Sequence, residues 1–300
     1  MADGLIAVTG ATGAVGRRVA ELLAARGVPQ RLVVRDPARA PELPDTEVRR
    51  IADYGHADDV RRALDGVDTL FLVPAQESAD RLQRHFAAID AAAAAGVRKI
   101  VYLSFVGATE DSMFTLGRDH WATEQRVRAT GLPWTFPRMN LYLDFLPLMV
   151  TERGTIEGPA GDGRGAFVTR DDIAEVVARL LADGGHDGET HDITGPEAIT
   201  LAEAAATMSA ATGKPVTFVD QTVEEAYASR AVYGAPDWQV EAWVTTYTAI
   251  ANGDIATVTD TVPTFTGHPA TSLADYLTTH PDALVHVRAA APDGGGGVMD

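Results

Sequence analysis

The chain has 300 residues, enough for one large domain or a domain with a smaller addition, and its hydrophobic fraction of 46% is typical of a globular protein. Its formal net charge of −17 disfavours both nucleic acid and anionic membrane surfaces as partners, because each requires clustered cations. The sequence contains no cysteine and no apolar run long enough to span a membrane, which excludes thiol catalysis and disulfides and predicts a cytoplasmic protein.

Short apolar segments alternate with longer amphipathic segments over roughly the first two thirds of the chain. The apolar segments predict strands at residues 5–9, 31–35, 48–52, 69–73, 99–104 and 133–136. The amphipathic segments predict a first helix that stops at Gly27 and further helices at residues 58–64, 79–95 and 119–129. This alternation is typical of a parallel sheet that is covered by helices on both faces.

Beyond about residue 140 the pattern is looser. Residues 154–165 contain five glycines and a proline and predict a loop. Helices are predicted at residues 171–181 and 200–211, strands at residues 189–194 and 216–219, and mostly helix after that.

Three glycines at regular spacing, Gly10, Gly13 and Gly16, lie between the first predicted strand and the first predicted helix. Glycines in this place permit a tight turn, let the backbone approach a pyrophosphate and bring helix and strand close together. The following helix N-terminus offers N–H groups to the phosphates, so we expect a dinucleotide site. Its predicted contacts are Gly10, Thr12, Gly13, Ala14 and Val15. The alternative is a glycine-rich turn that binds no ligand.

The end of the second strand distinguishes NADP from NAD. Arg35 stands there, about twenty residues after the turn, and an arginine in this place accommodates the 2′-phosphate of NADP. Arg39 follows within reach. The neighbouring Asp36 could instead bind the ribose hydroxyls of NAD, and Arg35 could be a solvated strand end. We expect NADPH as the cofactor rather than NADH.

Three further strand ends are predicted to contact the cofactor, because ligands bind at the carboxyl ends of such strands. Asp53 and Tyr54 follow the third strand, where a carboxylate could accept a hydrogen bond from the adenine amine. The other predicted contacts are Val73 and Pro74 beneath the ribose, and Ser104 and Phe105 facing the nicotinamide.

These features predict an α/β fold with a Rossmann-type doubly wound parallel sheet and a smaller, mostly helical C-terminal part that covers the substrate. We expect the dinucleotide-binding domain over residues 1–195 and the helical part over residues 196–288. Residues 289–300, with four consecutive glycines, predict a disordered tail.

The chain resembles the NmrA-like group of atypical short-chain dehydrogenases/reductases, which includes quinone reductase-like and azoreductase-like members. The matching segments are Ala7-Val8-Thr9-Gly10-Ala11-Thr12-Gly13, Val34-Arg35-Asp36-Pro37, Gly131-Leu132-Pro133-Trp134-Thr135-Phe136, Asp171-Asp172-Ile173-Ala174, Gly188–Gly195, Gly213-Lys214-Pro215-Val216 and Ala251-Asn252-Gly253-Asp254. The resemblance covers roughly residues 5 to 285. It implies the fold and a nicotinamide dinucleotide, but not one reaction, because the group also includes regulators that sense the cofactor.

The acid–base residues typical of short-chain dehydrogenases are missing, since no tyrosine has a lysine four residues later and the only lysines are Lys99 and Lys214. Other atypical relatives place a lysine near the start of the helix before the sixth strand, and this position falls on His120. His120 is therefore the candidate proton donor, with Asp119 expected to raise its pKa. The alternative is a surface histidine paired with Glu124.

The substrate is expected to lie opposite the nicotinamide, against Met113, Asn140 and Tyr142, in an apolar site for a small aromatic or quinone-like molecule. The remaining histidines predict no metal cluster.

These observations favour an NADPH-dependent oxidoreductase that transfers hydride to a quinone or related conjugated carbonyl. Two alternatives remain: a protein that senses NAD(P)H and signals to a protein partner, and an enzyme that performs a non-redox tailoring step in secondary metabolism. No direct nucleic-acid or membrane partner is expected, and the chain could form a homodimer.

Overall fold

The computed structural model of the protein describes residues 4–289. Its strands are β1 (Ile6–Thr9), β2 (Gln30–Val34), β3 (Thr46–Arg50), β4 (Thr69–Leu72), β5 (Lys99–Tyr102), β6 (Ser104–Phe105), β7 (Trp134–Met139), β8 (Thr155–Gly158), β9 (Arg164–Gly165), β10 (Glu189–Ile193), β11 (Ile199–Thr200) and β12 (Thr217–Asp220). Its α-helices are α1 (Ala14–Ala25), α2 (Ala57–Ala63), α3 (Arg81–Ala94), α4 (Thr115–Ala129), α5 (Arg170–Asp183), α6 (Leu201–Thr212), α7 (Val223–Arg230), α8 (Asp237–Asn252), α9 (Thr261–Thr266), α10 (Leu273–Thr279) and α11 (Val285–Ala289). Apart from Ala289, the predicted disordered tail lies outside the described residues.

The main sheet is parallel, and its strands lie in the order β3-β2-β1-β4-β5-β7-β10, with β6 paired to β7. The strand order reverses at β1, which pairs with β2 on one side and with β4 on the other. A crevice at the carboxyl ends of the strands is the usual ligand site at such a reversal. The predicted Rossmann-type doubly wound sheet is confirmed.

Each face of the sheet carries its own apolar core, because successive strand residues point to opposite faces. On one face Val8 of β1 packs in a fully buried cluster with Leu23 of α1 and Val177 of α5. On the other face Ala7 belongs to a second buried cluster that includes Ile89 of α3. The continuous burial of β1 explains why it reads as an uninterrupted apolar run.

A third buried cluster forms the C-terminal part, where Phe167, Leu201 and Ile250 pack together. The prediction of a loop over residues 154–165 is wrong, because this segment contains β8 and β9. β8 pairs in parallel with β12, and β9 pairs antiparallel with β11. Both strands are too short and too rich in glycine to show a period in sequence. Residues 155–165 therefore pack with elements that follow residue 195, and the division at that residue stays a prediction.

Two predicted element bounds need correction near the crevice. The strand expected over residues 99–104 is divided into β5 and β6, and the second piece pairs with β7 alone. The helix expected to begin at Asp119 begins four residues earlier, at Thr115. Among residues 4–289, no helix has the length and apolar character needed to cross a membrane.

Candidate functional site

The turn between β1 and α1 forms a shallow cradle at the reversal point. Gly10 has a φ of +63°, in the left-handed region that favours glycine, and its carbonyl accepts a hydrogen bond of 2.8 Å from the Gly13 N–H. Gly13 precedes α1 and, having no side chain, cannot cap the N–H groups of the first turn. Gly13 and Ala14 are exposed. This helix N-terminus is therefore open to an anion.

The other glycine of the turn is required by close packing. A Cβ on Gly16 would lie 2.4 Å from the carbonyl oxygen of Gly10, which no side chain tolerates without moving the turn. A Cβ on Gly10 would lie 3.0 Å from the Val73 side chain. Because Gly10 and Gly16 have no side chains, the N-terminus of α1 can lie close to the ends of β1 and β4. The resulting turn has the close backbone approach that the pyrophosphate of a dinucleotide needs.

The segment after β2 presents the arginines expected at the 2′-phosphate. Arg35 and Arg39 are exposed, and the Asp36 carboxylate accepts a hydrogen bond of 3.1 Å from the Ala38 N–H. Because Asp36 is used to cap the short 3-10 helix Pro37–Arg39, the geometry favours Arg35 over Asp36 as the ribose-side group. The Arg17 guanidinium donates to the Arg39 carbonyl at 2.6 Å. Arg17 was missed by the sequence argument, although it directly follows Gly16.

The predicted adenine side lies next to this segment. The Tyr54 hydroxyl donates to the Val73 carbonyl at 2.9 Å, and burial raises its pKa to about 12 against the opposing charge of Arg35. Asp53 accepts hydrogen bonds from the Gly55 N–H at 2.6 Å and from His56. Tyr54 thus joins the end of β3 to the end of β4, where Val73 and Pro74 are half-buried. Contact of these residues with adenine stays a prediction.

Ser104 does not face the crevice with its side chain as expected. It is fully buried, and its hydroxyl donates to the Glu124 carboxylate at 2.6 Å. Arg138 donates two hydrogen bonds of 2.8 Å to the same carboxylate, and Arg128 lies 3.2 Å from it. The hydroxyl is turned inward because Glu124 is also fully buried and needs these partners. Phe105 packs against Phe114 and His120 with ring centroids 5.1 and 5.9 Å away.

We expect Glu124→Gln to lower the free energy of unfolding by about 3 kcal/mol, because it leaves the guanidiniums of Arg138 and Arg128 without their buried carboxylate. Denaturant unfolding measures this loss. The matched control is Asp90→Asn, which breaks a half-exposed pair with Arg126 and should cost less than about 1 kcal/mol. Equal losses in the two variants would contradict a structural role for this buried group.

His120 is buried in α4 rather than exposed on its surface. The Arg81 guanidinium lies 3.3 Å from its Nε2, and the Tyr102 hydroxyl lies 2.9 Å from its Nδ1. An arginine can only donate, so Nε2 accepts and the proton is on Nδ1, facing Tyr102. Neither of the carboxylates expected beside His120 binds it. Glu124 binds Ser104 and Arg138 instead, and Asp119 binds Arg81 at 3.0 Å.

The expected rise in the pKa of His120 is also wrong. Burial and then the positive charge of Arg81 lower this pKa well below its usual value. Burial and then the positive charge of Arg81 also lower the pKa of His85, to about 3. His120 is therefore neutral near pH 7. Arg81 was missed because its link to His120 spans 39 residues of sequence.

The three predicted substrate residues have different surroundings. Met113 is 47% exposed and is available to a ligand. Tyr142 is half-buried, with the Arg170 guanidinium 4.4 Å from its ring centroid and its hydroxyl 3.0 Å from Met139 Sδ. Asn140 is 1% exposed, and its side chain donates to Ile255 and accepts from the Leu141 N–H. Asn140 thus fastens the C-terminal part to β7, and its role in orienting a substrate stays a prediction.

Comparison with known proteins gives consistent relatives. A family model described as NAD(P)H-binding matches residues 10–184. The chain is 34% identical over 284 residues to an NAD(P)H azoreductase from Xenophilus azovorans, covering 93% of this chain and 99% of the relative. It is 34% identical over 280 residues to quinone oxidoreductase 2 from Escherichia coli (strain K12), covering 91% and 97%. A crystal structure of an NADPH-dependent quinone oxidoreductase from Escherichia coli, complexed with NADPH, matches with a TM-score of 0.84 at 32% identity, covering 91% of this chain and 99% of that one.

Proposed function

Since the chain belongs to the NAD(P)H-binding family, in its NmrA-like and quinone reductase-like group, we propose that it is an NADPH-dependent oxidoreductase that reduces a quinone or a related conjugated carbonyl. The observation that carries the proposal is the open N-terminus of α1 at the strand reversal, beside the exposed Arg35. Relatives named as azoreductase and quinone oxidoreductase support the reaction class.

Different residues of the crevice are proposed to bind different parts of NADPH. The first-turn N–H groups of α1 hold the pyrophosphate, and Gly10 and Gly16 let it approach. Arg35, supported by Arg17 and Arg39, binds the 2′-phosphate, and this contact selects NADPH over NADH. Bound NADPH supplies a hydride at its nicotinamide, which would lie near Phe105 at the carboxyl end of the sheet.

Quinone reduction needs little from an acid group of the protein. A quinone that accepts a hydride and one proton becomes a quinol, and the developing negative charge is delocalised over the ring. Because His120 is neutral and its proton faces Tyr102, it serves to position Phe105 and Arg81 rather than to donate a proton. Solvent supplies the proton, and Met113 and Tyr142 remain the proposed substrate contacts.

We expect His120→Gln to keep turnover within about threefold of wild type, because glutamine can accept from Arg81 and donate to Tyr102 as the neutral imidazole does. The kcat/KM of the wild-type protein should show no inflection between about pH 6 and 8 from this residue, because its pKa lies below that range in the folded protein. Steady-state rates across this range measure both. A 100-fold loss, or an inflection that the variant abolishes, would restore His120 as proton donor.

A panel of quinones, azo dyes and enones, each assayed with NADPH and NADH, tests the proposed reaction. We expect quinone-dependent oxidation of NADPH, with NADH much less effective. Binding of NADPH without oxidation by any acceptor would instead favour a sensor. Conversion of an added substrate without net cofactor loss would favour a non-redox enzyme. A cytoplasmic location and a homodimer remain predictions.

A further inference from the structure

Two histidines and a glutamate meet at the start of β10, far along the chain from the glycine turn. Among residues 4–289, His186, Glu189 and His191 form a group whose ligand atoms all lie within 4.8 Å of one another. Glu189 Oε2 lies 2.7 Å from His186 Nδ1 and 3.1 Å from His191 Nε2. Both ring nitrogens therefore converge on one carboxylate oxygen.

One of these nitrogens is left without a hydrogen bond. His191 Nε2 is buried and, among the described residues, has no partner aligned well enough to form one, although Glu189 lies within ion-pair distance. A buried ring nitrogen without a hydrogen bond is costly unless another ligand satisfies it. The contact of His186 with Glu189 is a normal hydrogen bond, so the two histidines are not equivalent.

The backbone holds the group in place. His186 has a φ of +58°, a left-handed conformation that non-glycine residues seldom adopt. The Gly188 N–H donates to the Trp134 carbonyl at 2.7 Å, and the Thr135 hydroxyl donates to the His186 carbonyl at 2.8 Å. The Phe265 ring packs against both imidazoles, with centroids 5.4 and 5.1 Å away. The turn and α9 thus fix the rings before any ligand arrives.

We propose that His186, Glu189 and His191 bind one divalent cation of the zinc type. Two imidazoles and one carboxylate are a zinc ligand set, whereas magnesium and calcium prefer oxygen. In a tetrahedral site with bonds of about 2.0 Å, ligand atoms are about 3.3 Å apart, and the two imidazole nitrogens lie 2.7 and 3.1 Å from Glu189 Oε2. Glu189 is exposed, so the fourth position is open to water. Because β10 is parallel to the other strands and begins at Glu189, the site lies at the amino ends of the strands. The cofactor crevice lies at their carboxyl ends.

The site would be structural rather than catalytic. The cation would join the turn after α5 to the first residues of the edge strand β10, in addition to the hydrogen bonds and the Phe265 contacts that already hold these segments. Ligation by a folded turn and strand stabilises the folded state by an amount that rises with the logarithm of the free metal concentration once this exceeds the Kd.

Calorimetric titration of the full, tag-free and metal-stripped chain with zinc chloride tests the site. We expect this titration to show one Zn²⁺ per chain, and thermal unfolding to show a higher melting temperature with zinc than without it. His186→Gln and His191→Gln should each weaken binding by about 10-fold or more. The matched control His280→Gln removes an exposed histidine elsewhere and should leave binding unchanged. NADPH binding by each variant checks that it is folded.

A cobalt titration gives a second readout that does not depend on the variants. Co²⁺ in a tetrahedral site with imidazole ligands has strong visible absorption, whereas octahedral Co²⁺ absorbs weakly. We expect the strong spectrum in the wild-type protein and its loss when Zn²⁺ is added. No zinc binding, or equal binding in wild type and both histidine variants, would overturn the proposal and leave a hydrogen-bonded surface cluster.

Discussion

Ala14→Asp is expected to weaken NADPH binding by about 100-fold or more while leaving the fold intact. Ala14 is exposed in the first turn of α1, where the pyrophosphate is proposed to bind. One carboxylate about 4 Å from one phosphate charge costs about 4 kcal/mol at an effective dielectric constant of about 20. The same carboxylate stabilises the helix N-terminus by about 0.3–1 kcal/mol, so stability and binding should change in opposite directions. Fluorescence titration and denaturant unfolding measure the two effects.

The control for this variant is Ala274→Asp, which places an aspartate in the exposed first turn of α10 in the C-terminal part. It adds the same charge at a helix start without a proposed ligand, and NADPH binding should not change. If Ala14→Asp bound NADPH as tightly as wild type, the glycine turn would not be the pyrophosphate site.

Arg35→Ala is expected to raise the Kd for NADPH by about 10- to 100-fold and to change the Kd for NADH by less than about threefold. The lost contact is a charge-assisted hydrogen bond to the 2′-phosphate, worth about 1.5–3 kcal/mol, and NADH has no phosphate there. Direct titrations with both cofactors measure the ratio.

Arg153→Ala removes one positive charge at an exposed site in the C-terminal part and separates the local effect from the change in net charge. Equal weakening of NADPH and NADH by Arg35→Ala would mean that the arginine acts on the shared part of the cofactor. If Arg35→Ala weakened the binding of neither cofactor, Arg35 would be a solvated residue at the strand end with no part in binding.

Much of the fold could be predicted from the sequence, because buried parallel strands read as uninterrupted apolar runs and the helices between them keep a regular apolar face. β1 and the turn at Gly10 are examples, since their chemistry is local. β8 and β9 could not be found, because each is short and gains its stability from partners more than 30 residues away.

The candidate site shows the same division. The cofactor contacts of Gly13 and Arg35 are predicted from their place after a strand, which sequence spacing reports, and they stay predictions. The surroundings of His120, Ser104 and Asn140 depended on partners that only the fold brings together. Residue type suggested an ionisable acid at His120, but burial and Arg81 decide its pKa. A sequence does not show which of several acids and arginines will share a buried pocket.

The most direct test is the stoichiometry of an anaerobic reaction in which the wild-type protein and Ala14→Asp are each mixed with NADPH and a soluble quinone. We expect the wild-type protein to consume one NADPH for each quinol formed and the variant to react at least about 100-fold more slowly at limiting NADPH. Equal rates in the two proteins, or tight NADPH binding by wild type with no quinol formed, would contradict the central claim. This claim is that the protein is an oxidoreductase that binds NADPH at the turn between β1 and α1.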